Sequence, residues 1–195
     1  MNLHNNIDYS SLIDHHTLLY GETNTKKTYY TAIFIQFLIE SKHIDPKEIS
    51  ILDFAPPQCI IKNIKIGGKI KDFYKDGIKC NNFSLEGEII PPRLNARNIK
   101  ELYENACKNY KITFKILNLF NENPTSILII NDISIFLHIG NKKLLLDSIQ
   151  KSHTFLGNSY YGSSIKTDFT NTFSLREKRL VEYLVKKLEK SYFTG

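Results

Sequence analysis

The sequence predicts an α/β protein of the three-layer αβα type, with helices on both faces of a mainly parallel sheet. Short apolar runs that end in turn residues alternate along the chain with longer segments of helical period. Several of these runs are continuously hydrophobic, as expected for parallel strands buried on both faces. With 195 residues and 42% hydrophobic content, the chain can form one large core, so we expect a single domain over residues 1–195.

The first strand and the helix after it give the clearest pattern. A short apolar strand over residues 16–20 runs directly into Gly21. From Lys27 the segment KTYYTAIFIQFLIESK predicts about four helical turns, apolar on nearly every side. A second strand is expected within ISILDFAPP, residues 49–57, where two prolines end it abruptly.

The middle of the chain combines a less regular segment with a long helix. Residues 58–97 contain short β-like pieces separated by glycine turns, which predicts a small insertion of hairpin character that could cover a site. Asn98 with Glu101 three residues later indicates a helix start of the capping-box type. This helix is expected to end at Asn123-Pro124.

The last third continues the alternation of strands and helices. The segment SILIINDISIFLHIG, residues 126–140, opens with apolar residues that predict a central parallel strand. A short helix over about residues 142–150, a strand over 153–162 and a polar surface loop over 163–172 are expected next. The last helix is predicted to begin at Ser174, with an apolar stripe that continues to Tyr192.

Composition limits the cell compartment and the partners. Three widely spaced cysteines indicate neither a disulfide framework nor a zinc site, and no apolar run is long enough for a membrane span or signal peptide, so we expect a cytoplasmic protein without membrane contact. The net charge is +6: residues 1–97 carry 12 basic and 11 acidic groups, and residues 98–195 carry 14 and 9. The basic second half favours a polyanion such as a nucleotide or nucleic acid, or is a solvated face.

The stretch GETNTKKT, residues 21–28, nearly matches the phosphate-binding pattern G-x-x-x-x-G-K-[ST]. Gly21, Lys27 and Thr28 stand at the right intervals, but Lys26 occupies the position of the second glycine. The stretch lies between a predicted strand and a predicted helix. In that context, backbone N–H groups and the positive end of the helix dipole can bind a phosphate.

This loop resembles the Walker A motif of P-loop NTPases. The resemblance implies that ATP or ADP binds to Gly21, Glu22, Thr23, Asn24, Thr25, Lys26, Lys27, Thr28 and Tyr29. Lys27 would reach the terminal phosphates, and the Thr28 hydroxyl would ligate Mg²⁺. We expect Asn24 to adopt a left-handed conformation, because asparagine tolerates it better than other non-glycine residues.

A second motif supports the resemblance. ILIIND, which ends at Asp132, is similar to a Walker B strand and implies that Asp132 joins Thr28 around Mg²⁺. A further strand, ISILDF, lies between the loop helix and this acidic strand, which resembles the RecA/KaiC-like branch of ATPases. The ParA/MinD-like branch is the runner-up, because ILDFAPPQ matches the first acidic position of its motif at Asp53.

Hydrolysis requires a group that orients the attacking water. The expected catalytic set is Lys27, Asp53 at the end of the second strand, and Asn158 as a polar sensor of the γ-phosphate. Asp53, Asp132 and Asn158 have an alternative interpretation as caps at strand ends. The basic residues Arg176, Lys178 and Arg179 could act on the phosphates of a neighbouring copy in a homo-oligomer, or form a solvated face.

Two functional hypotheses therefore remain from the sequence. The first is a nucleoside triphosphate-binding protein, most simply an ATPase with slow Mg²⁺-dependent hydrolysis. The alternative is a non-catalytic nucleotide-sensing or interaction module, which acts on a protein or nucleic-acid partner through the 58–97 insertion or the basic C-terminal helix. The lack of an obvious catalytic glutamate favours the second hypothesis, whereas Lys27, Thr28 and Asp132 favour the first.

Overall fold

A computed structural model describes residues 7–83, 85, 87–165 and 169–195. Eight strands lie in the described ranges: β1 His16–Gly21, β2 Ile49–Asp53, β3 Cys59–Ile61, β4 Ile64–Ile66, β5 Asn81–Phe83, β6 Ile127–Asn131, β7 Thr154–Tyr160 and β8 Lys190–Phe193. The α-helices of the same ranges are α1 Lys27–Gln36, α2 Pro92–Asn95, α3 Ile99–Glu122, α4 Ile133–Leu137, α5 Lys142–Ile149 and α6 Asn171–Lys187, and a π-helical turn Phe37–Ser41 continues α1. None of these helices is both long and apolar enough to cross a membrane.

Six of the strands form one parallel sheet in the order β5-β2-β6-β7-β1-β8. The strands β3 and β4 pair separately as an antiparallel hairpin. Because all six strands of the sheet run the same way, the carboxyl ends of β1, β2, β6 and β7 lie at one edge. Ligands bind outside this edge in open α/β sheets.

Helices cover both faces of the sheet, which confirms the three-layer prediction. Successive residues of a strand point to opposite faces: Leu18 packs in a core cluster with side chains of α3, α4, α5 and α6, and Leu19 packs in a second cluster with α1. The side chains of β6 alternate in the same way, with Leu128 in the first cluster and Ile129 in the second. The continuous apolar runs of the sequence therefore reflect strands buried on both sides.

The 58–97 segment agrees only in part with the expected insertion. The β3–β4 hairpin is present, but β5 leaves the insertion and extends the main sheet by pairing with β2. The sequence signal for β5 is weak because two of its three residues are asparagines, which are depleted in strands. Tertiary contacts hold it: the Asn81 amide donates to the Lys47 carbonyl, and the Phe83 ring meets Phe120 edge to face.

The C-terminal segment also differs from the sequence prediction. The helix α6 begins at Asn171 instead of Ser174 and ends at Lys187, so Tyr192 belongs to β8 and not to a helical stripe. The strand β8 pairs in parallel with β1, which brings the last residues beside the loop that follows β1. Of the predicted 163–172 loop, residues 166–168 lie outside the described residues.

The start of α3 confirms one half of the expected cap. The Asn98 side chain accepts a hydrogen bond from the Glu101 backbone N–H at 3.0 Å. The Glu101 carboxylate does not return to Asn98 but binds the backbone N–H and the guanidinium of Arg97. The helix start is therefore fixed from both sides, by a cap and by an exposed ion pair.

Gly157 should be a sensitive position of the fold, because β7 passes close to α4 there. An added Cβ would overlap Ile133 Cδ1 and would lie 2.5 Å from Phe155 Cζ. We expect Gly157→Ala to lower the free energy of unfolding by about 1–3 kcal/mol, measured by urea denaturation. Ile133→Val removes one of the overlapping atoms, so the double variant should lose less than the sum of the single variants; strict additivity would contradict this account.

Candidate functional site

The segment between β1 and α1 forms a tight loop at the carboxyl edge of the sheet. Asn24 is left-handed, with φ 60°, which confirms the prediction for this residue. Lys26 is also left-handed, with φ 61° and ψ 18°, and it is the residue that precedes α1. A left-handed conformation costs a non-glycine residue roughly 1–2 kcal/mol. Lys26 thus adopts the left-handed backbone conformation that glycine favours, although it is not a glycine.

The backbone of this loop presents a row of free donors. Within the described parts of the chain, the N–H groups from Asn24 to Tyr29 have no hydrogen-bond partner, and the first helical bond of α1 is donated by Tyr30 to Lys26. Helix N-termini leave such groups unsatisfied, and the helix dipole adds positive potential at the same place. Six consecutive free N–H groups at a helix start are suited to bind an anion.

Lys27 adds a full charge to this row of donors. Its ammonium donates to the Gly21 carbonyl at 3.0 Å, to the Glu22 carbonyl, and to the Thr25 hydroxyl at 3.1 Å. Burial lowers the pKa of Lys27 to about 8, while nearby Asp132 and Glu22 act in the opposite direction. The ammonium is therefore held by the loop itself and remains largely protonated at neutral pH.

The loop opens into a cavity of about 630 Å³, a size typical of small-molecule sites. Residues from several parts of the chain line it: all residues from 23 to 29, and Ala55, Pro56, Gln58, Lys65, Ile66, Gly67, Phe73, Pro91, Pro92, Arg93, Leu94, Asp132, Ser134, Ile135, His138, Asn158, Tyr160 and Ile165. The 58–97 segment forms one wall, through the β3–β4 hairpin and α2. Asp132 is the one acidic side chain in the described lining.

Thr28 is paired with a residue that the sequence analysis did not single out. Its hydroxyl donates to the side-chain oxygen of Asn131 at 3.2 Å, not to Asp132. Asn131 is fully buried at the end of β6, next to the expected metal ligand. Only its position in the ILIIND motif indicated it, and there the acidic neighbour carried the resemblance.

Asp132 follows β6 in a left-handed conformation, with φ 60°, at the N-cap position of α4, but its side chain accepts no hydrogen bond from the helix backbone. Its carboxylate accepts a hydrogen bond from the Ser134 hydroxyl, and its backbone N–H donates to Asn158 at 3.0 Å. Burial raises the pKa of Asp132, which the Ser134 hydrogen bond and the charges of His138 and Lys27 oppose. Asp132 therefore faces the cavity close enough to Lys27 for the two charges to interact.

Asn158 lies two residues before the carboxyl end of β7 instead of closing the strand, and it lines the cavity. Its amide donates to the Thr31 hydroxyl at 2.9 Å and to the Asn131 side chain at 2.8 Å. Its oxygen accepts the Asp132 N–H. These bonds tie the ends of β6 and β7 to α1, so Asn158 positions its neighbours in addition to facing the cavity.

Asp53 is separated from the other predicted site residues. It does not line the cavity with the loop; it borders a second cavity of about 420 Å³, together with Lys69. Its carboxylate accepts the N–H of Ile70 at 2.8 Å and the Asn131 amide at 2.8 Å. Burial raises the pKa of Asp53, and the Lys69 ammonium at 3.8 Å opposes this shift. These contacts describe a carboxylate that fixes the 67–70 turn.

Glu22 fastens the loop to the segment after β7. Its carboxylate accepts hydrogen bonds from the Ser163 N–H at 2.7 Å, from the Ser164 N–H at 3.1 Å and hydroxyl at 2.6 Å, and from the Thr23 N–H at 3.0 Å. Burial alone would raise the pKa of Glu22, but these hydrogen bonds lower it to about 2. Its carboxylate is thus engaged by donors of Thr23, Ser163 and Ser164 and stabilises the loop conformation.

A buried charged cluster closes the far end of the cavity, and the sequence analysis did not predict it. Arg93 donates to both oxygens of Glu177, at 3.2 and 3.1 Å, and its guanidinium lies 4.8 Å from the Tyr160 ring centroid. His138 Nε2 lies 2.8 Å from the same carboxylate. All three side chains are almost fully buried. The apolar surroundings of Arg93 and His138 in the sequence gave little signal for this contact, which spans 84 positions between Arg93 and Glu177.

The oxygen atoms at the cavity fit Mg²⁺ only if a nucleotide supplies the other ligands. The described residues hold no cluster of three or more His, Cys, Asp and Glu side chains that could bind a metal ion alone. Thr28 and Asp132 do offer hard oxygen atoms at the cavity. Mg²⁺ commonly binds one or two protein oxygens, with phosphates and waters completing its shell. Thr28 and Asp132 are therefore the residues that would hold a metal arriving with a nucleotide.

Comparison with known proteins adds no family assignment. The chain matches no protein-family model, and no curated protein matches it. The functional interpretation consequently depends on the geometry of the loop and the cavity.

The Glu22 carboxylate should make stability depend on pH in the acid range. Its folded pKa of about 2 is below the ordinary value of about 4.3, so its contribution is present above that value and is lost as the pH falls towards 2. We expect Glu22→Gln to be less stable than wild type near neutral pH, and the difference to shrink at about pH 3. Urea denaturation at both pH values measures this; a difference independent of pH would contradict the ionic role.

Proposed function

We propose that the chain binds a nucleoside triphosphate, most simply ATP with Mg²⁺, at the loop of residues 21–29 and hydrolyses it slowly. One observation carries this proposal: the loop that holds the Lys27 ammonium also presents, at the start of α1, six consecutive backbone N–H groups that have no partner among the described residues. This combination of oriented donors, helix dipole and one fixed cation matches the needs of a polyphosphate. The parallel sheet supports it, since the loop lies at the carboxyl edge where ligands bind.

The strand order adds support for the P-loop resemblance. The strand β7, with Asn158 near its carboxyl end, lies between β1 and β6, so the expected sensor is placed between the phosphate loop and the acidic turn. Lys27, Asp132 and Asn158 consequently share one cavity. In the proposed complex, Lys27 and the loop N–H groups bind the phosphates, Thr28 and Asp132 hold Mg²⁺, and Asn158 contacts the terminal phosphate.

The arrangement of the carboxylates at the cavity supports slow ATP hydrolysis. Asp53 is engaged by Lys69, Ile70 and Asn131, which leaves Asp132 as the acidic side chain available in the described lining. One carboxylate then has to serve both the metal and the attacking water, two roles that nucleotide hydrolases usually divide. Bound ATP should therefore persist long enough for binding itself to be measured.

A nucleotide-sensing module is the second candidate function, and one contact favours it. The Thr23 hydroxyl of the loop donates to the Lys65 carbonyl of the β3–β4 hairpin at 3.2 Å. Ile60 on this hairpin is 73% exposed, which provides an apolar contact for a partner. Phosphate release from ATP separates the candidates, because a pure sensing module binds nucleotide without turnover.

The two adjacent lysines of the loop should have different roles. Lys27→Ala removes a charge-assisted contact worth roughly 1.5–3 kcal/mol and should weaken MgATP binding about 10- to 150-fold in isothermal titration. Lys26 is exposed and left-handed, so Lys26→Gly should raise the free energy of unfolding by about 1 kcal/mol and preserve or improve binding.

Binding by these two variants tests the proposed register of the loop. If Lys27→Ala binds as wild type does while Lys26→Gly binds weakly, Lys26 is the phosphate lysine. If wild type shows neither titration heat nor a thermal shift with millimolar ATP or ADP, nucleotide binding is contradicted.

Asp132 should affect the metal more than the phosphates. Asparagine is the best matched replacement, because it keeps the size and tolerates the left-handed conformation at this position. We expect Asp132→Asn to reduce the gain in ATP affinity upon adding Mg²⁺ by about tenfold and to leave metal-free binding nearly unchanged. Equal losses with and without Mg²⁺ would instead assign Asp132 a structural role, through its hydrogen bond with Ser134.

A further inference from the structure

Two half-exposed aromatic rings lie at the cavity next to the phosphate loop. Tyr29 and Phe73 are each 42% exposed, and both line the cavity. Their ring centroids are 6.1 Å apart, with an angle of 75° between the ring planes. Tyr160, the other aromatic residue in the described lining, is 8% exposed and is covered by Arg93. Tyr29 and Phe73 therefore present the accessible aromatic surface of the cavity.

Tyr29 lies directly beside the proposed phosphate-binding groups. Tyr29 lies in the first turn of α1, directly after Thr28, and its own N–H is the last of the six free donors. A nucleotide held by these donors would place its ribose and base in the cavity that Tyr29 and Phe73 line.

Phe73 reaches the same place from a different part of the chain. It follows the 3₁₀ turn Ile70–Asp72, which the Asp53 carboxylate holds through the Ile70 N–H at 2.8 Å. The ring also lies beside Gly68, whose carbonyl accepts a hydrogen bond from Asn131. Phe73 is thus placed by the same buried groups that position Thr28, although it is distant from the loop in sequence.

The chemistry around the rings fits a planar, anionic ligand. Lys26 and Lys65 also line the cavity and are exposed, so cations accompany the two rings. Aromatic side chains bind nucleobases by stacking, and stacking contributes substantially to affinity. An apolar ligand without charge would not use the lysines, and an inorganic phosphate would not use the rings.

We propose that the Tyr29–Phe73 pair binds the nucleobase of the nucleotide, with one ring stacked on the face of the base and the other, at 75° to the first, against its edge, so that the ligand is recognised at both its phosphates and its base. This inference rests on the proposed nucleotide binding at the loop. It assigns the affinity of the site to two separable parts: the loop binds the polyphosphate, and the aromatic pair binds the base. Inorganic tripolyphosphate, which has no base, therefore serves as the probe for the first part alone.

The experiment compares MgATP with magnesium tripolyphosphate by isothermal titration. Tyr29→Leu and Phe73→Leu keep apolar bulk and remove the aromatic face, and each should weaken ATP binding about 5- to 150-fold. Tripolyphosphate binding should stay within about twofold of wild type. Tyr29→Phe and Phe73→Tyr retain a ring and should bind ATP nearly as wild type does.

A matched control is available outside the cavity. Tyr103 on α3 is 45% exposed and contacts Phe173 with centroids 4.8 Å apart, so Tyr103→Leu removes a similarly exposed ring that does not line the cavity. This variant should leave both ligands unaffected. Thermal unfolding of each variant checks that the fold is retained.

The outcomes separate this inference from the proposed function. Unchanged ATP affinity in both leucine variants, or an equal loss for ATP and tripolyphosphate, would overturn base stacking. Equal wild-type affinities for the two ligands would also overturn it, while nucleotide binding by the loop would stand. If wild type binds neither ligand, nucleotide binding fails and the stacking inference fails with it.

Discussion

The buried side chain of Asn131 is the constraint on which the site depends. Its amide nitrogen donates to Asp53 at 2.8 Å and to the Gly68 carbonyl at 3.0 Å. Its oxygen accepts hydrogen bonds from Thr28 at 3.2 Å and from Asn158 at 2.8 Å. A primary amide has two donors and two acceptor positions, so all four are used. Asn131 thus connects β2, β6 and β7 with α1 and with the 67–70 turn.

This arrangement explains why β6 ends in asparagine. A carboxylate in place of Asn131 could not donate to Asp53, and two ionised carboxylates in contact would repel each other. Asp53 in turn is needed as an acceptor for the Ile70 N–H and as a partner for Lys69. The acidic residue of the ILIIND motif therefore occupies the next position, Asp132, where the chain has turned towards the cavity.

The sequence predicted the parts of this fold that depend on local patterns. Apolar periodicity defined β1, β2, β6 and α3, and the spacing of Gly21, Lys27 and Thr28 located the loop. Short elements held by tertiary contacts were missed, such as β5, which is attached by packing and a side-chain bond. The same applies to β8, where the helical stripe continued by coincidence into a strand that pairs with β1.

For the site, too, the sequence predicted the roles that depend on local patterns and missed those that depend on tertiary contacts. Residues whose roles follow from backbone geometry, such as the left-handed Asn24, could be recognised from the loop sequence. Roles set by contacts between distant elements could not be recognised. Asn131 and the Arg93–Glu177–His138 cluster belong to this class, because nothing in a local pattern reveals which buried polar groups will share a partner.

The hydrogen bond between Thr28 and Asn131 also determines how charge is distributed at the proposed metal position. Thr28 donates its proton to Asn131, which leaves the lone pairs of its oxygen for a cation at the cavity. Asn131 orients this hydroxyl without contributing charge, so Asp132 supplies the negative charge on the protein side. A hard cation with a single protein carboxylate is weakly held in water. In the proposed complex, phosphates would provide the remaining negative charge, so Mg²⁺ binding would depend on the nucleotide instead of preceding it.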